Sequence, residues 1–231
     1  MKRFWTEATA AQVEGGWRVL LDGRAVKTQA GTAQVVPGAA LATAMAAEWS
    51  AQGEVVDPLS LPLRDLADYA IDVVAPDRAA ATAQLLRYAE TDTLCYRAEP
   101  DEPLHARQLT VWEPLLTAAE ARWDIHFERV SGVIHRPQSI ATLARLERAL
   151  AARDDFTLAA LTTLSALAAS LVIALAALEP GANPAELWNA ANLEEDWQIE
   201  LWGADEEAAE RRARRLAGFS AAQRFAQLVE A

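Results

Sequence analysis

Apolar residues alternate with polar ones in short runs over the first third of the chain, then recur every three or four positions almost to its end. In the first third, segments 4–13, 17–21, 24–28 and 34–36 are separated by Gly15-Gly16, Asp22-Gly23 and Gly31. Gly-Gly and Asp-Gly readily take the positive φ of tight hairpin turns, so antiparallel strands are predicted here. Leu41, Met45 and Trp49 then repeat at helical spacing, which predicts a helix over 39–52 packed on the small sheet.

Beyond Pro58 and Pro62 the period is helical. Leu63, Leu66, Ala70, Ile71 and Val74 mark one helix, ended by Pro76. Asp77 is placed to cap the next, which carries Leu85, Leu86 and Tyr88. A longer helix is expected over 103–123, kinked or divided by Pro114. Further helices are expected over 137–152, 156–178, 184–202 and 205–229, while Ile125, Phe127 and Val130 alternate as a short strand would. The fold class is therefore α+β. A small amino-terminal antiparallel β-rich domain with one helix is assigned to 1–58 and a larger all-helical domain to 59–231, with 125–134 able to return to the sheet.

Composition narrows the class. The chain has 231 residues, of which 52% are hydrophobic and 23% charged, enough for a sizeable core. Its 21 Lys+Arg against 33 Asp+Glu leave a formal charge of −12, which argues against nucleic acid or an anionic membrane surface as partner. One cysteine excludes an internal disulfide, and one thiol with three histidines cannot make a cysteine-rich zinc site. Met1-Lys2-Arg3 is followed at once by Phe4-Trp5-Thr6-Glu7, without the apolar run of a secretory signal. Arg and Ser are too sparse at the start for an organellar presequence, which suits a native bacterial start or a processed form. The stretch 156–178 carries no charge and is long enough to span a bilayer as a helix. Asp154, Asp155 and Glu179 border it without flanking Lys, Arg, Trp or Tyr, so it is read as a buried helix rather than a stable membrane insertion.

Chemistry is hard to find in the residues. There is no phosphate-binding Gly-rich loop, no Gly-x-Gly-x-x-Gly after a strand and no Gly-x-Ser-x-Gly elbow. An enzyme would have to use Cys95 with Asp92 and one of His105, His126 and His135; the plain alternative is a small buried thiol. Neither a cofactor nor a metal site is assigned. Glu194, Glu195, Asp196 and Glu200 form the densest acidic cluster. Leu187, Ala191, Glu194, Gln198 and Leu201 follow a 4-3-4-3 spacing, placing a carboxylate and an amide on an apolar stripe. Glu194 is then either satisfied by a neighbouring Arg or backbone N–H, or free to grip a partner. Arg211, Arg212, Arg214 and Arg215 are read as a salt-bridged face, since Glu207 and Glu210 each lie four residues before an arginine. Eight tryptophans against three tyrosines is an unusual ratio, and Trp188, Trp197 and Trp202 all lie near Glu194. Such side chains serve cores, and they also anchor interfaces.

A set of short motifs adds a family likeness. Lys2-Arg3-Phe4, Leu21-Asp22-Gly23-Arg24 with Val26-Lys27-Thr28, Ala47-Glu48-Trp49 with Gln52, and Pro62-Leu63 come first. Ala70-Ile71-Asp72, Tyr88, Thr91-Asp92, Leu94-Cys95-Tyr96-Arg97 and Arg107-Gln108 with Trp112 and Pro114 follow. Leu193-Glu194-Glu195, Gln198 and Trp202-Gly203 stand near the end. In this order and spacing the chain resembles the F-type ATP synthase assembly chaperones that handle the α subunit of the catalytic hexamer, a family of mitochondria and α-proteobacteria. It departs at Ala25, Arg64-Asp65 and Thr93, and at Ala169, where the family usually has Gly.

The resemblance implies a protein that is not an enzyme: a holdase, monomeric when free, that shields the α subunit before β takes its place. It implies a cytoplasmic protein, or a mitochondrial matrix protein if the chain is processed. The glutamate on which the family depends maps to Glu194, so the implied partner-binding residues are Glu194 and Gln198 with Trp197 and Trp202.

Overall fold

The computed structural model describes residues 1–132, 134–203 and 205–230. These fall into two compact units: the first holds 1–78, 154–160 and the residues from 221 on, and the second holds the remainder.

In the first unit, β1 (Ala8–Val13), β2 (Gly16–Leu21) and β3 (Arg24–Ala25) form an antiparallel sheet in that order. Asp22 and Gly23, at φ 45 and 77, make the second hairpin turn, the two positive values that an Asp-Gly pair favours. Gly16 has a different reason to be glycine: a Cβ there would sit 2.3 Å from the Val36 carbonyl oxygen. That close approach arises because Trp17 and Val36 exchange two backbone hydrogen bonds of 2.8 Å. The expected strands 24–28 and 34–36 are therefore mostly single bridges, Trp17 to Val36 and Lys27 to Ala33. Helix α1 (Ala39–Ser50) buries Leu41, Met45 and Trp49, as their spacing required. Trp5 meets Trp49 edge to face at 5.2 Å and donates its Nε1–H to the Trp49 carbonyl at 3.3 Å.

Helix α2 (Pro62–Tyr69) also belongs to this unit, beyond the cut expected at 58. Three carboxylates hold it there. Glu48 of α1 accepts the Leu63 and Arg64 N–H groups at 2.9 and 3.1 Å, closing the open first turn of α2. Asp68 accepts from Gln34 Nε2 at 2.5 Å and the Gln29 N–H at 3.2 Å. Asp72 accepts from Thr28 Oγ1 at 2.9 Å and the Ala30 N–H at 3.2 Å. The helix expected from Leu63 to Val74 changes geometry on the way: a π turn runs over Ala70–Val74 and a 3₁₀ turn over Ala75–Asp77. Pro76 has no N–H to continue the α pattern.

The second unit is helical. After α3 (Arg78–Glu90) come β4 (Tyr96–Arg97), α4 (Pro103–Trp123), β5 (Val130–Ser131) and α5 (Ile140–Ala151). Pro114 does not divide α4, whose Trp112 and Leu116 are fully buried on either side of it. The alternating segment does form a strand. It pairs in parallel with β4, Tyr96 opposite Val130, and Val133 of that stretch lies outside the described residues. Arg97 and Arg129 both bind Glu113, at 2.8 and 2.7 Å, and Arg129 continues to Glu120.

The uncharged stretch is not one helix. It breaks into α6 (Asp155–Ala168) and α7 (Leu171–Ala176) at Ala169, which takes the left-handed φ of 51. Ser170 Oγ accepts the Ile173 N–H at 3.0 Å, and Asp92 reaches across to accept from the Val172 N–H at 2.9 Å and the Leu94 N–H at 3.1 Å. Among the described residues no helix is long and apolar enough to cross a membrane. The helix expected over 184–202 also splits, into α8 (Pro184–Ala191) and α9 (Leu193–Trp202). Asn192 leaves helical geometry there and donates its side-chain amide to the Trp188 carbonyl at 2.8 Å. Last comes α10 (Glu206–Glu230), whose Glu207–Arg211 and Glu210–Arg214 pairs stand at 2.8 and 3.6 Å.

Ala169 carries strain that a glycine would not. A left-handed L-residue costs roughly 1–2 kcal/mol, partly offset by the extra unfolded-state freedom of Gly. Ala169→Gly is therefore expected to raise unfolding stability by about 0.5–1 kcal/mol, read as a higher urea midpoint at unchanged slope.

Candidate functional site

Glu194, Glu195 and Asp196 of the acidic cluster open α9, where carboxylates are favoured by the unpaired N–H groups of a helix start, and Glu200 lies in its last turn. Its members differ sharply in what they touch. Asp196 is held by Arg212, with one bond at 2.8 Å, and Glu200 takes both arms of the Arg107 guanidinium, at 2.6 and 2.7 Å. That fork keeps the Glu200 carboxyl below the usual carboxylate range. Glu195 is exposed.

Glu194 has no arginine partner among the described residues. Its Oε1 accepts one hydrogen bond, 2.7 Å from Gln108 Nε2 of α4. Gln108 is fully buried, and its own Oε1 accepts the Ala98 N–H at 2.8 Å, which fixes the amide. One residue-turn away, Trp112 donates its indole N–H to the Ala190 carbonyl at 2.8 Å and ties α4 to the end of α8. Glu194 keeps an edge in solvent, yet loss of water around it raises its pKa, and the Gln108 bond only partly opposes that. A carboxylate partly stripped of water and given a single donor has spare acceptor capacity.

Gln198 lies one turn beyond Glu194 on the same helix and is exposed. Leu201 and Trp202 follow at 56% and 77% exposure, two large apolar side chains open to solvent together. Trp197 is half-buried, with the Arg107 guanidinium 5.7 Å from its ring centre. Trp188 is core: it is buried, 5.8 Å from Phe219 and 5.6 Å from the Arg215 guanidinium. The break at Asn192 also corrects the stripe. Leu187 sits buried on α8, so only Glu194, Gln198 and Leu201 share a helix.

The residues an enzyme would need are arranged differently. Cys95 is fully buried, and burial, then the nearby Asp92, pushes its thiol far up, away from a nucleophilic thiolate. Asp92 is itself buried and caps two backbone segments. His135 Nδ1 is 2.8 Å from the Tyr96 hydroxyl and His126 Nδ1 is 3.0 Å from Glu120. Among the described residues no group of three or more His, Cys, Asp and Glu could hold a metal. Sequence reasoning passed over Gln108 as a site residue. It stands 86 positions from Glu194, and no local pattern links the two.

Known proteins resemble this chain over nearly its whole length. The model of the ATP12 chaperone protein family matches residues 2–120. The mitochondrial protein atp12 of Schizosaccharomyces pombe is 27% identical over 222 residues, covering 90% of this chain and 76% of its own. The crystal structure of Atp12 from Paracoccus denitrificans superposes with a TM-score of 0.93 at 38% identity, over 99% of this chain and 98% of that one. A chaperone-described protein of Agrobacterium tumefaciens gives a TM-score of 0.93 at 41% identity, over 98% of this chain and 85% of that one.

Asp92 yields a pH signature. Burial raises its pKa to about 6 in the fold, against its backbone and Ser170 hydrogen bonds. Because the native state binds the proton more tightly, this group's contribution is fully present below its unfolded pKa near 3.8 and is lost as pH rises through about 6. Relative to Asp92→Asn, the wild type should therefore lose about 2 kcal/mol of stability between pH 4 and pH 7. Urea unfolding of both proteins at the two pH values measures it.

Proposed function

The chain belongs to the ATP12 chaperone family, and we propose that it binds the unassembled α subunit of the F-type ATP synthase and keeps it from aggregating until β displaces it. The observation that carries this reading is the exposed pair Leu201 and Trp202 on the same short helix as a carboxylate with spare acceptor capacity. Free subunits expose apolar surface that assembly will bury, and covering it suppresses wrong association. Trp202 offers the large, rigid apolar contact, while Glu194 and Gln198 supply polar specificity beside it. Trp197, braced by Arg107, steadies the helix that presents them. No bond is made or broken in this action. On this reading the protein works beside the assembling synthase, in the bacterial cytoplasm or the mitochondrial matrix.

Replacing Glu194 by alanine should weaken α-subunit binding at least tenfold while leaving the unfolding midpoint within a few degrees of wild type. Calorimetric titration of purified α subunit into both proteins decides it. A folded Glu194→Ala protein that binds and protects α as well as wild type does would remove Glu194 from the site.

A further inference from the structure

The sheet of the first unit ends at β1, and that edge is open. Val13 pairs with Gly16 across a two-residue turn, so Thr9, Ala11 and Val13 turn their backbone groups to β2. The Asp22 N–H to Glu7 carbonyl bond continues the same alternation. The N–H and C=O groups of Ala8, Ala10 and Gln12 therefore point outward, and none of them has a hydrogen-bond partner among the described residues. Open edges are normally guarded by a lysine, a proline, a bulge or a covering element. Here six consecutive pairs run in unbroken register, and Ala8–Val13 contains neither Lys nor Pro. Alongside runs a groove whose far wall is α1, lined there by Thr43, Ala47, Ser50 and Ala51. These four are exposed and short, so α1 puts no long side chain into the groove from these positions.

We propose that the β1 edge is a second docking surface, which takes an extended segment of the client polypeptide as a fourth strand. Free donor–acceptor pairs at every second residue, about 6.6 Å apart, match an extended chain. The groove beside them admits small or flat apolar side chains at alternate positions. Charge completes the description of the occupant. Glu7 and Glu14 bracket the edge, both exposed and neither in an ion pair among the described residues, so the segment carries Lys or Arg at its ends. That the client is the α subunit rests on the function proposed above; the strand-accepting edge does not.

The test uses the whole chain, labelled with nitrogen-15, and a short synthetic peptide of alternating valine and threonine with a lysine at each end. At saturating peptide, amide exchange at Ala8, Ala10 and Gln12 should slow at least tenfold, with Thr9 and Ala11 little changed. Ala10→Pro deletes one outward N–H and leaves the bonds to β2 in place. Thr43→Lys puts a guard beside the edge without touching β1. Each variant should bind the peptide at least tenfold more weakly. The proposal fails if the peptide leaves the three amides unprotected, or if both variants bind it like wild type. It fails equally if the wild type forms a concentration-dependent dimer that Ala10→Pro abolishes, since the edge then belongs to a second copy. A parallel titration with purified α subunit separates the two readings. Peptide binding without α binding rejects the chaperone reading and keeps the edge, whereas bound α with the three amides unprotected rejects the edge as its docking surface.

Discussion

Backbone N–H groups left over where helices and turns begin must find acceptors, and in this chain carboxylates from distant segments supply them. Asp22 accepts from the Thr6 and Glu7 N–H groups, Glu48 from Leu63 and Arg64, and Asp92 from Leu94 and Val172. Asp68 and Asp72 close the 28–34 loop in the same way, and Glu120 accepts the Phe127 N–H at 2.7 Å. All but the Leu94 and Phe127 bonds join places at least 15 residues apart in sequence. Part of the acidic excess is thus spent inside the fold, and the net charge of −12 is less purely a message about partners than it looks.

Against that background Glu194 is the exception. The structural carboxylates use both oxygens, or bind two or more donors, and two of them, Asp68 and Asp92, are buried. Glu194 takes one bond, from an amide that is itself locked by the Ala98 N–H, and faces water on its other side. Its neighbours Asp196 and Glu200 are neutralised by arginines. Within one helix, then, two acids are committed to the fold and one is held in place without being used up. Holding an acceptor rigid while leaving it capacity lowers the ordering cost of binding.

Local chemistry made much of the fold readable. The Asp-Gly turn, the Leu41–Met45–Trp49 period and the Glu207–Arg211 and Glu210–Arg214 pairs depend on residues within a few positions of one another, and each reappears in the structure. Two of the differences share one cause, a contact from far along the chain. The break at Ala169 is enforced by Asp92, about 80 residues away, and the union of α2 with the sheet by Asp68 and Asp72. Neither leaves a mark on hydropathy. Asn192 was the one local breaker overlooked, a residue whose side chain competes for a carbonyl of its own helix. Glu194 attracted notice on a stripe that this break cuts short, while its buried partner Gln108 looked like any polar residue on a long helix.

The two surfaces also divide recognition along physical lines. On the function proposed, side chains on α9 read side chains: an indole, an amide and a carboxylate discriminate by shape and by hydrogen-bond pattern. The proposed docking edge of β1 would read backbone, which every extended chain presents alike, and sort occupants only by side-chain size and end charge. A chaperone of the kind proposed, which must know one client yet hold it before its own contacts are complete, is served by each mode in a different way. The first gives selectivity that a sheet edge cannot, and the second tolerates a partner whose tertiary structure is still forming.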